Sequence, residues 1–258
     1  MRVPCLWIIR ALRCRYSTAF HKERKVDGMS RLIDPPAVPA CARPWAAELA
    51  QRVRSHTAIK ILGIGAFMWV FFLGYFHLLR HPVHAVTIMP LTVIDRLIPF
   101  QPQTLAIYLS LWLYIGVAPG LLLTLRELGI YALWLAALCL TGLACFYFFP
   151  TTVPSLALDS SGHPGFAMLK TVDAAGNACP SLHVATSMFT AIWVDSLLRR
   201  LRMPTLLRVI NGGWFAAIAY STLATKQHVA LDVLAGALLG IAFALPALRW
   251  QFQAGESR

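Results

Sequence analysis

Apolar residues in this chain gather into long runs instead of the spaced stripes of a surface helix. Six runs stand out, over residues 59–79, 104–125, 128–149, 182–198, 205–223 and 229–248. Each approaches the ~20 residues an α-helix needs to cross roughly 30 Å of hydrocarbon. The period-2 alternation of a membrane barrel is not seen, so backbone polar groups in lipid must be satisfied within helices. The pattern predicts an all-α fold, a polytopic membrane bundle of six transmembrane helices over residues 58–249. A basic segment, 1–57, precedes it, and a short tail, 250–258, follows.

Composition sharpens this picture. Of 258 residues, 58% are hydrophobic and only 13% charged, about half the charged share of an ordinary soluble domain. The net charge of +12 would suit nucleic acid if it formed a patch, but it does not. Twelve of the 23 Lys and Arg lie at or before Lys60, and Arg199, Arg200, Arg202 and Arg208 crowd the link between the fourth and fifth runs. With six crossings those regions share one side. The bias places both termini in the cytoplasm, in the inner membrane of a bacterium, with no nucleic-acid partner. The six cysteines contain no C-x-x-C pair and read as small apolar fillers.

Punctuation along the chain is informative. Residues 1–28 are Arg-rich around a patch, Leu6–Ile9, too short for a secretory signal, and Met29 offers a second start. Trp45 to Leu49, among Arg43, Arg52 and Arg54, reads as a membrane-surface helix. His77, His81 and His84 suit an ordinary helix end, so no metal and no cofactor is expected. Asp95–Arg96 and Asp195–Arg199 read as local ion pairs, and Pro119-Gly120 as a kink. The connection 151–179 is long and rich in turn residues, as lids and headgroup readers are. Gly236 and Gly240 form a small-x-x-x-small face for close helix packing.

Candidate chemistry lies at the mouths of two runs. Pro180-Ser181-Leu182-His183 opens the fourth, and Ser221-Thr222 through His228 to Asp232 joins the fifth to the sixth. Ionisable groups at a membrane edge are functional candidates, and the topology puts both clusters on the periplasmic face. Asp232 stands one helical turn after His228, where a carboxylate holds an imidazole tautomer. His228 then serves as nucleophile towards phosphorus and His183 as acid and base. Lys226, the Ser181 hydroxyl and the free N–H groups of Ser181, Leu182 and His183 would face the phosphate oxygens.

These residues resemble the second and third motifs of the type 2 phosphatidic acid phosphatase superfamily, which includes acid phosphatases and vanadium haloperoxidases. Its patterns are K-x6-R-P, P-S-G-H and S-R-x5-H-x3-D. Here P-S-L-H and the spacing S-x6-H-x3-D are present, Leu182 stands for Gly, and Thr222 stands for Arg. No K-x6-R-P is found, with Val153-Pro154-Ser155 as its remnant. P-S-L-H is most similar to the inositol phosphorylceramide synthase branch. The resemblance implies a metal-independent phosphohistidine mechanism on a lipid phosphate, with catalytic His228, His183 and Asp232. Ser221 and Thr222 would contact phosphate, and Lys226 and Lys170 would replace the lost guanidiniums. Phosphatase and phosphotransferase remain open; the competing reading is a non-catalytic lipid-binding or transport protein of the same fold.

Overall fold

The computed structural model describes residues 45–154 and 177–256. Lys170, Ser155, the basic segment with Met29 and most of the expected lid lie outside the described residues. Two compact units are distinguished, Met1–Ala47 and Glu48–Arg258. Of the first, only residues 45–47 are described, as the start of α1 (Trp45–Arg54); the second holds everything that follows.

Every apolar run is helical. α2 covers Thr57–Arg80. The second run is divided into a 3-10 turn (Pro102–Thr104), α4 (Leu105–Leu109) and α5 (Leu111–Leu121), after a short α3 (Val93–Leu97) in the preceding connection. α6 spans Leu125–Phe148, α7 Leu182–Arg200, α8 Thr205–Ala224 and α9 Ala230–Glu256. The division at Ser110 is slight: its backbone stays helical (φ −63°, ψ −13°), its N–H donates to Ala106 O and its carbonyl accepts from Tyr114 N, while its hydroxyl receives the indole N–H of Trp214 at 2.9 Å. Pro119 does not kink a continuing helix, because α5 ends two residues later.

Four segments are long and apolar enough to cross a membrane: Thr57–Arg80, Pro102–Leu121, Leu125–Phe148 and Ala230–Gln251. α7 and α8 are less apolar, and for α7 the reason is its position. It packs on α5, α6, α8 and α9, so neighbouring side chains take the place of lipid around it. Phe189, Trp193, Val184, Ser187 and Thr190 are fully enclosed. Such a helix tolerates hydroxyls if they find acceptors. Thr186 donates to Leu182 O at 2.8 Å, Ser187 to Val184 O at 3.0 Å, and Thr190 shares a 3.2 Å hydrogen bond with Tyr131.

Between lipid-facing helices there is little hydrophobic drive to associate, so close backbone approach matters most. Gly236 and Gly240 supply it: an added Cβ would lie 2.4 Å from Ser181 O and 2.6 Å from Ala185 O respectively. On α6, Gly142 leaves room for Leu182 in the same way. A polar cluster ties three helices, with Tyr114 donating to Asn211 at 2.8 Å and Asn211 donating to Ala191 O at 2.9 Å.

The two ends differ. At one, Lys60 is buried and donates to Arg52 O (2.7 Å) and Gly120 O (2.9 Å), closing the C-terminus of α5. Thr124 and Glu127 form the capping box that starts α6. Asp195 pairs with Arg199 as the sequence suggests, and also with Arg208, both at 2.7 Å. At the other end lies an element foreign to an all-α expectation. β1 (Thr87–Ile88) runs parallel to β2 (Thr151–Thr152), and Thr151 also bridges Asn177. This strip joins the connection after α2, the end of α6 and the segment entering α7.

Candidate active site

α7 begins two residues later than the proline suggests. Ser181 is its N-cap, accepting from Val184 N at 3.3 Å, and Pro180 precedes the cap. The Ser181 N–H, expected to face an anion, donates instead to the Asp232 carbonyl at 3.1 Å. That bond and the Gly236 contact seat the mouth of α7 on the first turns of α9. His183 and His228 are thereby brought together from 45 positions apart, their ring centroids 5.7 Å from one another.

His228 is 6% exposed and Asp232 fully buried. The His228 Nδ1 lies 3.5 Å from Asp232 Oδ2 and has no other hydrogen-bond partner among the described residues. That is slightly beyond a good hydrogen bond, so a small ring rotation closes it. Asp232 Oδ2 also accepts the Val229 N–H at 3.1 Å, fixing the carboxylate one turn below the imidazole. His183 is half-buried and stacks on Tyr108 at 4.6 Å, with Trp112 edge-on at 6.0 Å.

The proposed phosphate contacts divide. Ser221 and Thr222 are fully buried, their hydroxyls donating to Ile218 O and Ala219 O of their own helix, both at 2.7 Å. Neither reaches the histidines' face as an open donor. Lys226 stands in a left-handed conformation (φ 58°) and aims its Nζ at the carbonyls of Asp95 (2.9 Å) and Ile98. These bonds tether the α8–α9 turn to α3 and its C-terminal neighbour Ile98.

Asp95 carries the other half of that tether. Its Oδ1 accepts Ala230 N at 2.8 Å at the start of α9, and its Oδ2 accepts the Thr92 N–H and hydroxyl, both at 2.7 Å. The expected Asp95–Arg96 ion pair is replaced by this double cap. Burial pushes the Asp95 carboxyl up, but the Thr92 and Ala230 hydrogen bonds and the Lys226 charge outweigh it and hold it below the ordinary value. Cys179, just before the cap, has its thiol pushed up to about 11, chiefly by burial and then by the neighbouring Asp232 charge.

Asp95, Tyr108 and Trp112 were not singled out as site residues in the sequence. Thr92-x-x-Asp95 is a legible capping signature, whereas no local signal ties Tyr108 to a histidine 75 positions on. Among the described residues, no group of three His, Cys, Asp or Glu could hold a metal ion.

Beside His183 opens a cavity of about 580 Å³, within the size range of small-molecule sites. Aromatic and aliphatic side chains make its walls, among them Phe72, Tyr75, Tyr108, Trp112 and Leu135, and His183 and Thr186 are its polar edge.

A buried His–Asp pair thus faces a second histidine, beside an apolar cavity and inside a helical bundle with four helices long and apolar enough to cross a membrane. The chain matches the PAP2 superfamily over residues 55–256 and belongs to it. Members of that superfamily are generally phosphatases or phosphotransferases. No curated protein and no solved structure matches the chain.

Proposed function

We propose that this protein is an integral-membrane lipid phosphatase or phosphotransferase working through a phosphohistidine at the periplasmic face of a six-span bundle. The observation that carries the reading is the meeting of His183 with the His228–Asp232 pair. Asp232 holds the Nδ1 proton of His228, leaving Nε2 with the lone pair that attacks phosphorus. His183 protonates the departing alkoxide, and then takes a proton from the acceptor that cleaves the phosphoramidate. A 5.7 Å ring separation is tighter than an in-line phosphate requires, since attack begins at roughly 3 Å on one side alone. Substrate therefore shifts His183 from its stack on Tyr108 as it enters.

Water as acceptor gives hydrolysis and a lipid alcohol gives transfer, and P-S-L-H favours transfer by its likeness to the inositol phosphorylceramide synthase branch. With Lys226 committed to α3, the N-terminus of α7 is the main source of positive potential. The expected cost is weak ground-state phosphate binding.

Purified protein in nanodiscs, supplied with lipid phosphates and with and without an alcohol acceptor, tests the reading. Wild type should release or transfer phosphate, and His228→Ala should do neither. Equal behaviour of the two would leave a lipid-binding protein of this fold.

A further inference from the structure

The cavity at His183 does not end where its own walls end. A second cavity, about 320 Å³, is lined by Ile59, Lys60, Gly63, Gly129 and Ala132 among others, and shares Phe67, Met68, Ile115 and Leu135 with the first. The two adjoin along α2, against α5 and α6. Their walls reach from Phe76 beside the catalytic end to Ile59 near the opposite end. The seventeen steps between those residues rise about 25 Å at 1.5 Å each. Lys60 closes the far end, its amine held by the carbonyls of Arg52 and Gly120.

We propose that the two cavities join as one groove, which holds one long hydrocarbon chain of the substrate and measures its length. The inference rests on the phosphohistidine reading only for placing the phosphate at His183. One mouth is polar and catalytic, the walls are apolar, and the floor is a buried ammonium with its hydrogen bonds already made. An extended chain advances about 1.3 Å per carbon, given ordinary ~1.5 Å carbon–carbon bonds, so the groove takes roughly 20 carbons. Half of a ~30 Å hydrocarbon core is about 15 Å. A chain confined to one leaflet would thus leave the lower groove empty, whereas a single long alkyl or isoprenoid chain fills it.

Glycine positions make the test clean. A Cβ at Gly63 or Gly129 meets no atom within 4 Å, and both line the lower cavity. Gly63→Leu and Gly129→Leu should therefore plug the groove without displacing backbone. Gly65→Leu, equally open but lining neither cavity, is the control. With alkyl phosphates of about 8 and about 20 carbons, each plug should lower the long-to-short ratio of kcat/KM at least tenfold. The control should leave that ratio at the wild-type value. An unchanged ratio in both plugged variants overturns the proposal.

Should wild type release no phosphate at all, the catalytic reading falls, and native mass spectrometry of the His228→Ala protein decides the groove separately. Preferential retention of the longer alkyl phosphate, lost on adding Gly63→Leu, supports it. Equal retention of both chains refutes it.

Discussion

Replacing Gly236 with Ala tests the link between helix packing and catalysis. The new methyl would lie 2.4 Å from the Ser181 carbonyl oxygen and 3.2 Å from both its carbonyl carbon and Val184 Cβ. Carbon–oxygen contacts settle near 3.3 Å, so α7 and α9 must part by roughly 0.9 Å at this point. The obstructing atom is backbone, so no rotamer change relieves it. Ser181 is two residues from His183, and its N–H is bonded to the Asp232 carbonyl, so the displacement acts on both halves of the site. A misplacement of about 1 Å costs on the order of 100-fold in rate, and overpacking costs about 1–3 kcal/mol. Phosphate release from a lipid phosphate should fall by about that factor, with a lower Tm. Gly240→Ala meets Ala185 O at 2.6 Å, one turn farther along α9 from His228 and away from the Ser181–Asp232 bond. It should lose similar stability and less activity, about tenfold. Gly212→Ala, with nothing within 4 Å of its Cβ, should hold or raise Tm, since Ala is the better helix former by about 1 kcal/mol. A Gly236→Ala protein retaining kcat within threefold of wild type would refute the reasoning.

Other expectations concern single groups. Asp232→Asn should reduce kcat by roughly 10²–10⁴ with little change in KM, because the amide no longer holds the attacking tautomer; stopped assays over a substrate series measure both. Lys226→Met should lower Tm and leave KM within about twofold if the amine serves α3, as its partners indicate; a tenfold rise in KM at unchanged Tm would return it to the phosphate. Asp95 is favoured as carboxylate in the folded state, so its stabilisation is complete above its ordinary value of 3.8 and is lost as pH falls through the lower folded value. The difference in unfolding free energy between wild type and Asp95→Asn, about 1.5–3 kcal/mol for charged hydrogen bonds, should therefore be constant near neutrality and shrink only below pH 3.8, as denaturant titrations across pH would measure. With its thiol near pH 11, Cys179 is ionised to roughly one part in a thousand at pH 8, and iodoacetamide labelling followed by mass spectrometry should find it slow.

The six helical segments could be read from the sequence because runs of apolar residues report directly on the solvent around them. The pairing of His228 with Asp232 was equally legible, being local and one turn long. His183 required topology, since only the up-and-down order of helices brings it to the same end. The hydrogen bond from Trp214 to Ser110 was hidden because its partners stand more than a hundred residues apart. The surroundings of Lys226 were hidden for a related reason. A lysine near a catalytic motif reads as a phosphate ligand, and no spacing shows that the carbonyls of Asp95 and Ile98 lie against its amine. Ser221 and Thr222 carry motif positions, yet their hydroxyls are drawn to the nearest free carbonyls on α8, a competition that spacing alone does not reveal.

The enclosure of α7 governs how the chain can be made. Ribosomal synthesis delivers α7 some thirty residues before α9 begins at Ala230. Through that interval Thr186, Ser187, Thr190 and Asp195 have no finished sheath, and a translocon samples a segment of middling lipid affinity. Full enclosure of α7 then waits for the last helix to emerge. Nascent chains stopped before Ala230 should leave α7 open to protease, and chains carried past Gly240 should protect it.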